Sequence, residues 1–171
     1  MSKKRLTLFE IVQPGMTLTT HTAIGAALGS VIGNPVLGFL AGFISHFLVD
    51  MIPHGDSKMA ESWRFMKKKR GPVAYATFDA VIAVYLILTL SNLIAPEQLF
   101  AFSLAVAGSL LPDILIGLHD LTRWRWLKPF FKFHFFFHDF FTKKHGDIKL
   151  TYALAGQLAV IMFVLLPIVT R

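Results

Sequence analysis

The run LTYALAGQLAVIMFVLLPIVT, residues 150–170, carries no charged side chain from Leu150 to Thr170. As a helix rising 1.5 Å per residue it spans about 31 Å, the thickness of a bilayer's hydrocarbon core. Within lipid a backbone satisfies its own N–H and C=O groups only as a helix or a closed barrel. A continuous apolar run without period-two alternation selects the helix. Toward the N-terminus the same reading repeats. An apolar stretch over residues 98–118 follows the break Ala95-Pro96-Glu97, and another covers residues 72–94. Two shorter ones, residues 17–33 and 35–52, are divided by the tight break Asn34-Pro35. These two reach only about 25 to 27 Å, which fits either a short transmembrane hairpin or a re-entrant one. The sequence therefore predicts an all-α membrane protein: a bundle of about five transmembrane helices, the first two short, in a single domain over residues 1–171.

Composition and charge point the same way. Hydrophobic residues make up 54% of the chain and charged residues 16%, against about a quarter charged in soluble domains. Cysteine is absent, so disulfides and thiolate metal sites are excluded and any metal must be held by nitrogen and oxygen. The net charge of +7 raises the question of nucleic acid, and the positions of the charges answer it. Lys3, Lys4 and Arg5 precede the first helix. Lys58, Arg64, Lys67, Lys68, Lys69 and Arg70 lie between the second and third, and Arg123, Arg125, Lys128, Lys132, Lys143, Lys144 and Lys149 between the fourth and fifth. If each helix crosses once, all three clusters share one side, which the positive-inside rule makes cytoplasmic, N-terminus included. The implied partner is membrane lipid, with no nucleic acid. Residues 57–71, with Met59, Trp63 and Met66 among lysines and arginines, read as a cytoplasmic interfacial helix. Residues 121–144 are denser in aromatics, with Trp124, Trp126 and phenylalanine at most positions from 130 to 141. They read as an aromatic anchor, or as an anchor that also supplies ligands from His134 and His138. His119-Asp120 reads as interfacial and His145-Gly146-Asp147 as a solvated turn.

An ionised group inside a bilayer costs at least about 2–3 kcal/mol, so each one needs a reason. His21 falls about one turn into the first helix, His46 and Asp50 in the last turns of the second, Asp79 about two turns into the third, and Asp113 near the end of the fourth. All sit near the cytoplasmic end. His21, Gly25, Gly29 and Gly33 form a stripe at spacing four, as do Gly38, Gly42, His46 and Asp50, and Ala101, Ala105, Ser109 and Asp113. Small residues at this spacing mark faces where membrane helices pack closely, so the ionisable groups point into the bundle. A mixed cluster there repels itself unless it is protonated or bridged by a cation. His46-x3-Asp50 places two ligand types on one helical face, Pro53-His54-Gly55-Asp56 follows, and mixed His and Asp ligands suit Zn²⁺, with Mn²⁺ or Fe²⁺ as alternatives.

Two neighbourhoods resemble known families. Thr20-His21-Thr22, with Gly42-Phe43-Ile44-Ser45-His46-Phe47-Leu48-Val49-Asp50 and Pro53-His54, is similar to the zinc-dependent phospholipase C / P1 nuclease superfamily, which has an early ligand His and an apolar helix bearing His-x3-Asp. Leu110-Leu111-Pro112-Asp113, with the later His134 and His138, resembles a small inner-membrane group of metal-dependent hydrolases. The resemblance implies His21, His46, Asp50, His54, Asp113 and His138 as metal ligands in a bacterial or archaeal cytoplasmic membrane. It also implies metal-assisted hydrolysis of a phosphoester. Asp79 or Asp56 would be the general base, and Arg64, Lys67 and Arg123 would hold the phosphate of a phospholipid or lipid-linked substrate. The rival reading is a small transporter or ion-conducting protein whose intramembrane Asp and His residues pass a cation, which needs polar groups along the whole path.

Overall fold

The computed structural model describes residues 16–55 and 70–170, and over these it is all-helical, with no strand. Helix α1 covers Leu18–Val31 and α2 Pro35–Asp50. The break between them is explicit chemistry: Asn34 Oδ1 accepts from the Val36 and Leu37 N–H groups at 3.0 and 3.1 Å, and Pro35 takes the first helical position, where a missing N–H costs nothing. Helix α3 is Arg70–Ser91. A 3₁₀ turn, Pro96–Gln98, leads into α4, Leu99–Thr122. Arg123 ends α4 in the left-handed conformation, φ 57°, and a second 3₁₀ turn, Arg125–Leu127, redirects the chain into α5, Lys128–His138. Helices α6, Phe140–His145, and α7, Leu150–Val169, complete the described fold.

Among the described residues, three segments are long and apolar enough to cross a membrane: Val73–Ser91, Pro96–Thr122 and Leu150–Val169. Their outer surfaces are greasy, with Phe78, Tyr85, Phe100, Met162 and Phe163 all exposed. Of the five expected crossing helices, these three meet the length of a full span. Helices α1 and α2, at 14 and 16 residues, are about 21 and 24 Å long, short of the hydrocarbon thickness.

Helix α2 runs parallel to α4, and α1 antiparallel to it, and the contacts are backbone-close. A Cβ added at Gly42 would collide with the Ala105 carbonyl oxygen, and one at Gly108 with that of Phe39. Only glycine permits this approach, which puts His46, Asp50 and Asp113 within reach of one another. The small-residue stripe of α1 stops at Gly29, because Gly33 lies past the helix with nothing within 4 Å. Ala23, Ala26, Leu90, Phe102, Val106, Leu165 and Ile168 form the buried apolar cluster that ties α1, α3, α4 and α7 together.

The N-terminus of α1 is fastened by two other helices. Asp79 of α3 accepts from the Leu18 N–H at 2.6 Å, the Thr19 N–H at 3.1 Å and the Thr19 hydroxyl at 2.6 Å. Gln157 Oε1 of α7 accepts from the Thr17 N–H at 3.1 Å and from the hydroxyls of Thr17 and Thr20 at 2.7 and 3.1 Å. These bonds satisfy amides that a helix start leaves without partners, and the carboxylate also complements the helix dipole. Helix α5 has two faces: His134 and His138 are buried, while Phe133 and Phe136 are exposed.

Candidate metal centre

Three helices deliver acceptor atoms to one buried point. His46 donates from Nδ1 to the Ser109 carbonyl at 2.9 Å, which turns its Nε2 toward the group. Pro112 lies inside α4 and has no N–H for the Gly108 carbonyl one turn back; beside it, the Ser109 carbonyl takes the His46 side-chain donor. Around His46 Nε2 stand His134 Nε2 at 3.1 Å, Asp50 Oδ2 at 3.2 Å and Asp113 Oδ1 at 3.8 Å. His134 Nε2 in turn lies 3.2 Å from Asp50 Oδ2 and 3.6 Å from Asp113 Oδ1. All four ligand atoms lie within 4.8 Å of one another.

These distances test whether the residues fit a metal. Zinc bonds to nitrogen and oxygen of about 2.0–2.1 Å, arranged tetrahedrally, give ligand–ligand edges of about 3.3–3.4 Å. The five edges given above run from 3.1 to 3.8 Å and bracket that value. Two imidazole nitrogens and two carboxyl oxygens, brought together with little exposure, are a donor set that suits a borderline divalent cation. A buried His/Asp group able to hold a metal ion is therefore part of this structure.

Burial disfavours the imidazolium of His134, but its hydrogen bonds to Asp113 and Asp50 outweigh this and raise its pKa above the usual histidine value. A proton on His134 and a metal thus compete for the same space. His134 Nδ1 is buried without a partner among the described residues. Its ring is held by edge-on packing against Phe47 and Phe135, at centroid distances of 6.0 and 5.3 Å.

His21 sits beside the four-atom group rather than in it. Its Nε2 lies 3.1 Å from Asp50 Oδ1 and 3.9 Å from Asp113 Oδ2, the outward oxygen of each carboxylate, and its ring stacks on His46 at 4.1 Å. That is the place of a partner that orients a ligating carboxylate. Access is uneven: the Asp113 side chain is 23% exposed, whereas those of His21, His46, Asp50 and His134 are at most 3% exposed.

Of the six ligands the sequence implies, His46, Asp50 and Asp113 belong to the four-atom group. His54 and His138 do not; they face each other with Nε2 atoms 3.1 Å apart. His134 takes the position expected of His138. The signal was present, since the two share a face of α5 at spacing four, but which one meets His46 depends on the bend at Arg123. Asp79 needs correction as a general base. Both its oxygens are engaged in capping α1, so the structure gives it a cap to make rather than a place in the four-atom group. Asp56, Arg64 and Lys67, and residues 57–69 of the expected interfacial helix, lie outside the described residues. Arg123 is tied to Asp120 at 3.5 Å with its side chain 40% exposed. Asp120 is buried rather than interfacial, and Asp147 is no simple solvated turn: its Oδ1 accepts from the Gly55 N–H at 2.8 Å.

No family model matches the chain, and neither the curated proteins nor the solved structures yield a match.

Proposed function

We propose that this chain is a membrane-embedded, metal-dependent hydrolase acting on a phosphoester, with a phospholipid or lipid-linked phosphate as its substrate. The observation that carries the reading is the convergence of His46, Asp50, Asp113 and His134 at edge lengths a single divalent cation requires. Bound there, zinc (or manganese or iron) supplies Lewis acidity to water and to a phosphoryl oxygen. The chain's own residues do the rest. Asp50 and His46, on one face of α2, would hold the cation, with His21 hydrogen-bonded to the outward oxygen of Asp50 and near that of Asp113. His134 closes the group from α5, whose exposed phenylalanines belong at the headgroup level. Asp113, the most exposed member, marks the side from which a headgroup phosphate arrives. Of Arg64, Lys67 and Arg123, the cations expected to hold that phosphate, Arg123 is the one among the described residues; it would receive the phosphate while paired with Asp120.

In this reading α1 and α2 form a short or re-entrant hairpin among three full spans. The basic clusters lie on the cytoplasmic side with the N-terminus, and the site opens at that face. Among the described residues, the buried polar side chains gather toward the His46–Asp50 end, and Ser30 alone lies near the Asn34 end. That distribution supports a site over a conduction path.

The test is phosphate release from phospholipid vesicles by the purified protein with zinc restored after chelation. Activity lost in His46→Ala and Asp50→Asn supports the reading. Zinc-loaded protein that releases nothing from any phospholipid, yet moves cations into liposomes, refutes it.

A further inference from the structure

Helix α5 is amphipathic in the inverted sense. A helix at the edge of a bundle ordinarily buries its apolar face and leaves the polar one outside. Here His134 and His138 are the buried residues, at 3% and 4% exposure, while Phe133 and Phe136, across the helix from them, are 47% and 61% exposed. The outward rings continue into α6: Phe136 meets Phe140 at 6.2 Å and Phe140 meets Phe141 at 5.0 Å, both exposed. Charge shares this surface. Lys128, Lys132, Phe136 and Phe140 follow one another at spacing four, which sets them in a line, and all four are exposed. Arg123 and Lys143 are taken up by Asp120 and Asp139, whereas Lys128 and Lys132 make no ion pair among the described residues. Grouped exposed rings mark an interaction surface. This one connects α4 to α7, two of the segments able to span a membrane, so it lies where headgroups are. Rings that seat at the acyl boundary, with lysine stems reaching phosphates beside them, are complementary to an anionic leaflet.

We propose that the outer face of α5 and α6 docks on an anionic phospholipid leaflet, and that docking keeps α5 turned with His134 in the four-atom centre. This regulation rests on the metal reading of His46, Asp50, Asp113 and His134, and not on hydrolysis. Its cause is a competition for one helix. In water, burying Phe133 and Phe136 against the bundle takes about half a rotation of α5, which carries His134 away from His46 and Asp50. With the rings in lipid, both faces are satisfied at once. Linkage makes the effect reciprocal: lipid that favours the docked orientation tightens metal binding, and metal favours docking.

The experiment places the full chain in nanodiscs of phosphatidylcholine, alone or mixed with phosphatidylglycerol, strips it by chelation and titrates it with Zn²⁺. Wild type is compared with the double variant Lys128→Gln/Lys132→Gln. Because the chain has no cysteine, Phe136→Cys carries a single polarity-sensitive fluorophore that reads docking separately in both backgrounds. Anionic lipid is expected to move the probe into the acyl region and to tighten zinc binding in the wild type. The ceiling is about 25-fold, at about fivefold for each lysine, and the double variant loses most of both effects. A plain field effect runs the other way, since removing lysine charge draws Zn²⁺ in. An equal gain in wild type and variant, zinc affinity indifferent to lipid charge, or a probe that stays in water in both lipids overturns the proposal. Zinc that binds in neither lipid, or is fully retained in His46→Ala, overturns the four-atom centre and its regulation together; the probe then still reports whether the face docks.

Discussion

Removal of His134 is the sharpest test of the four-atom centre, because the structure gives that vertex to His134 and not to His138. Loss of an outer partner of a metal ligand weakens binding about 10- to 100-fold, so loss of a ligand itself costs at least the upper figure. With zinc held at about 1,000 times the wild-type Kd, binding stabilises the fold by about 4.1 kcal/mol. A hundredfold weaker site at the same zinc concentration retains about 1.4 kcal/mol, a loss of about 2.7 kcal/mol. For a chain of this size that is about 5–11 °C in the zinc-dependent part of Tm. The assay is thermal unfolding in detergent with and without zinc, each variant compared with its own metal-free form. The packing of His134 against Phe47 and Phe135 then cancels. A His134→Ala protein whose zinc-dependent shift equals that of the wild type would refute the assignment of this vertex.

Three further outcomes are expected. Asp79→Ala removes a charged cap from Leu18 and Thr19 and should destabilise by about 1–2 kcal/mol, read by thermal unfolding, while zinc affinity stays near wild type; a variant that keeps its Tm and loses only hydrolysis would restore Asp79 as a catalytic group. Gly42→Ala drives a methyl into the Ala105 carbonyl and should cost about 1–3 kcal/mol and weaken zinc binding as α2 and α4 separate, measurable by unfolding and zinc titration; unchanged values would mean that the helices are free to slide. The raised pKa of His134 gives the two forms opposite pH trends. Its stabilising charge is fully present in the metal-free protein below about pH 6.5 and is lost as pH rises through the raised value. Zinc needs the same nitrogen unprotonated, so its affinity should climb across that interval; parallel trends in metal-free Tm and zinc affinity would argue against His134 as the shared group.

Helix content was legible because each signal is local. Asn34-Pro35 stops one helix and starts the next with its own side chain, and 150–170 carries no charge from end to end. His46 and Asp50 were legible as a pair because one turn of one helix sets their distance. Asp113 was reachable by counting turns from the helix ends. What could not be read was anything fixed by a long-range partner. The left-handed Arg123 and the 3₁₀ turn after it aim α5, and no periodicity announces them, so His134 and His138 were indistinguishable in register. The partners of Asp79 are backbone amides some sixty residues away, and an amide leaves no mark in a sequence. Asp147 was invisible for the same reason. The count of spans depended on length alone, where α1 and α2 fall short by about a turn or two.

The seal at the start of α1 also has a temporal side. Thr17 finds its partner Gln157 at a separation of 140 positions, so the start of α1 is completed only once α7 has been made. Until α7 has been inserted, the first turn of α1, with His21 just beyond it, has an amide still awaiting its acceptor. The four-atom group waits in the same way for His134, and a nascent chain arrested before that residue should have no finished centre with which to scavenge metal.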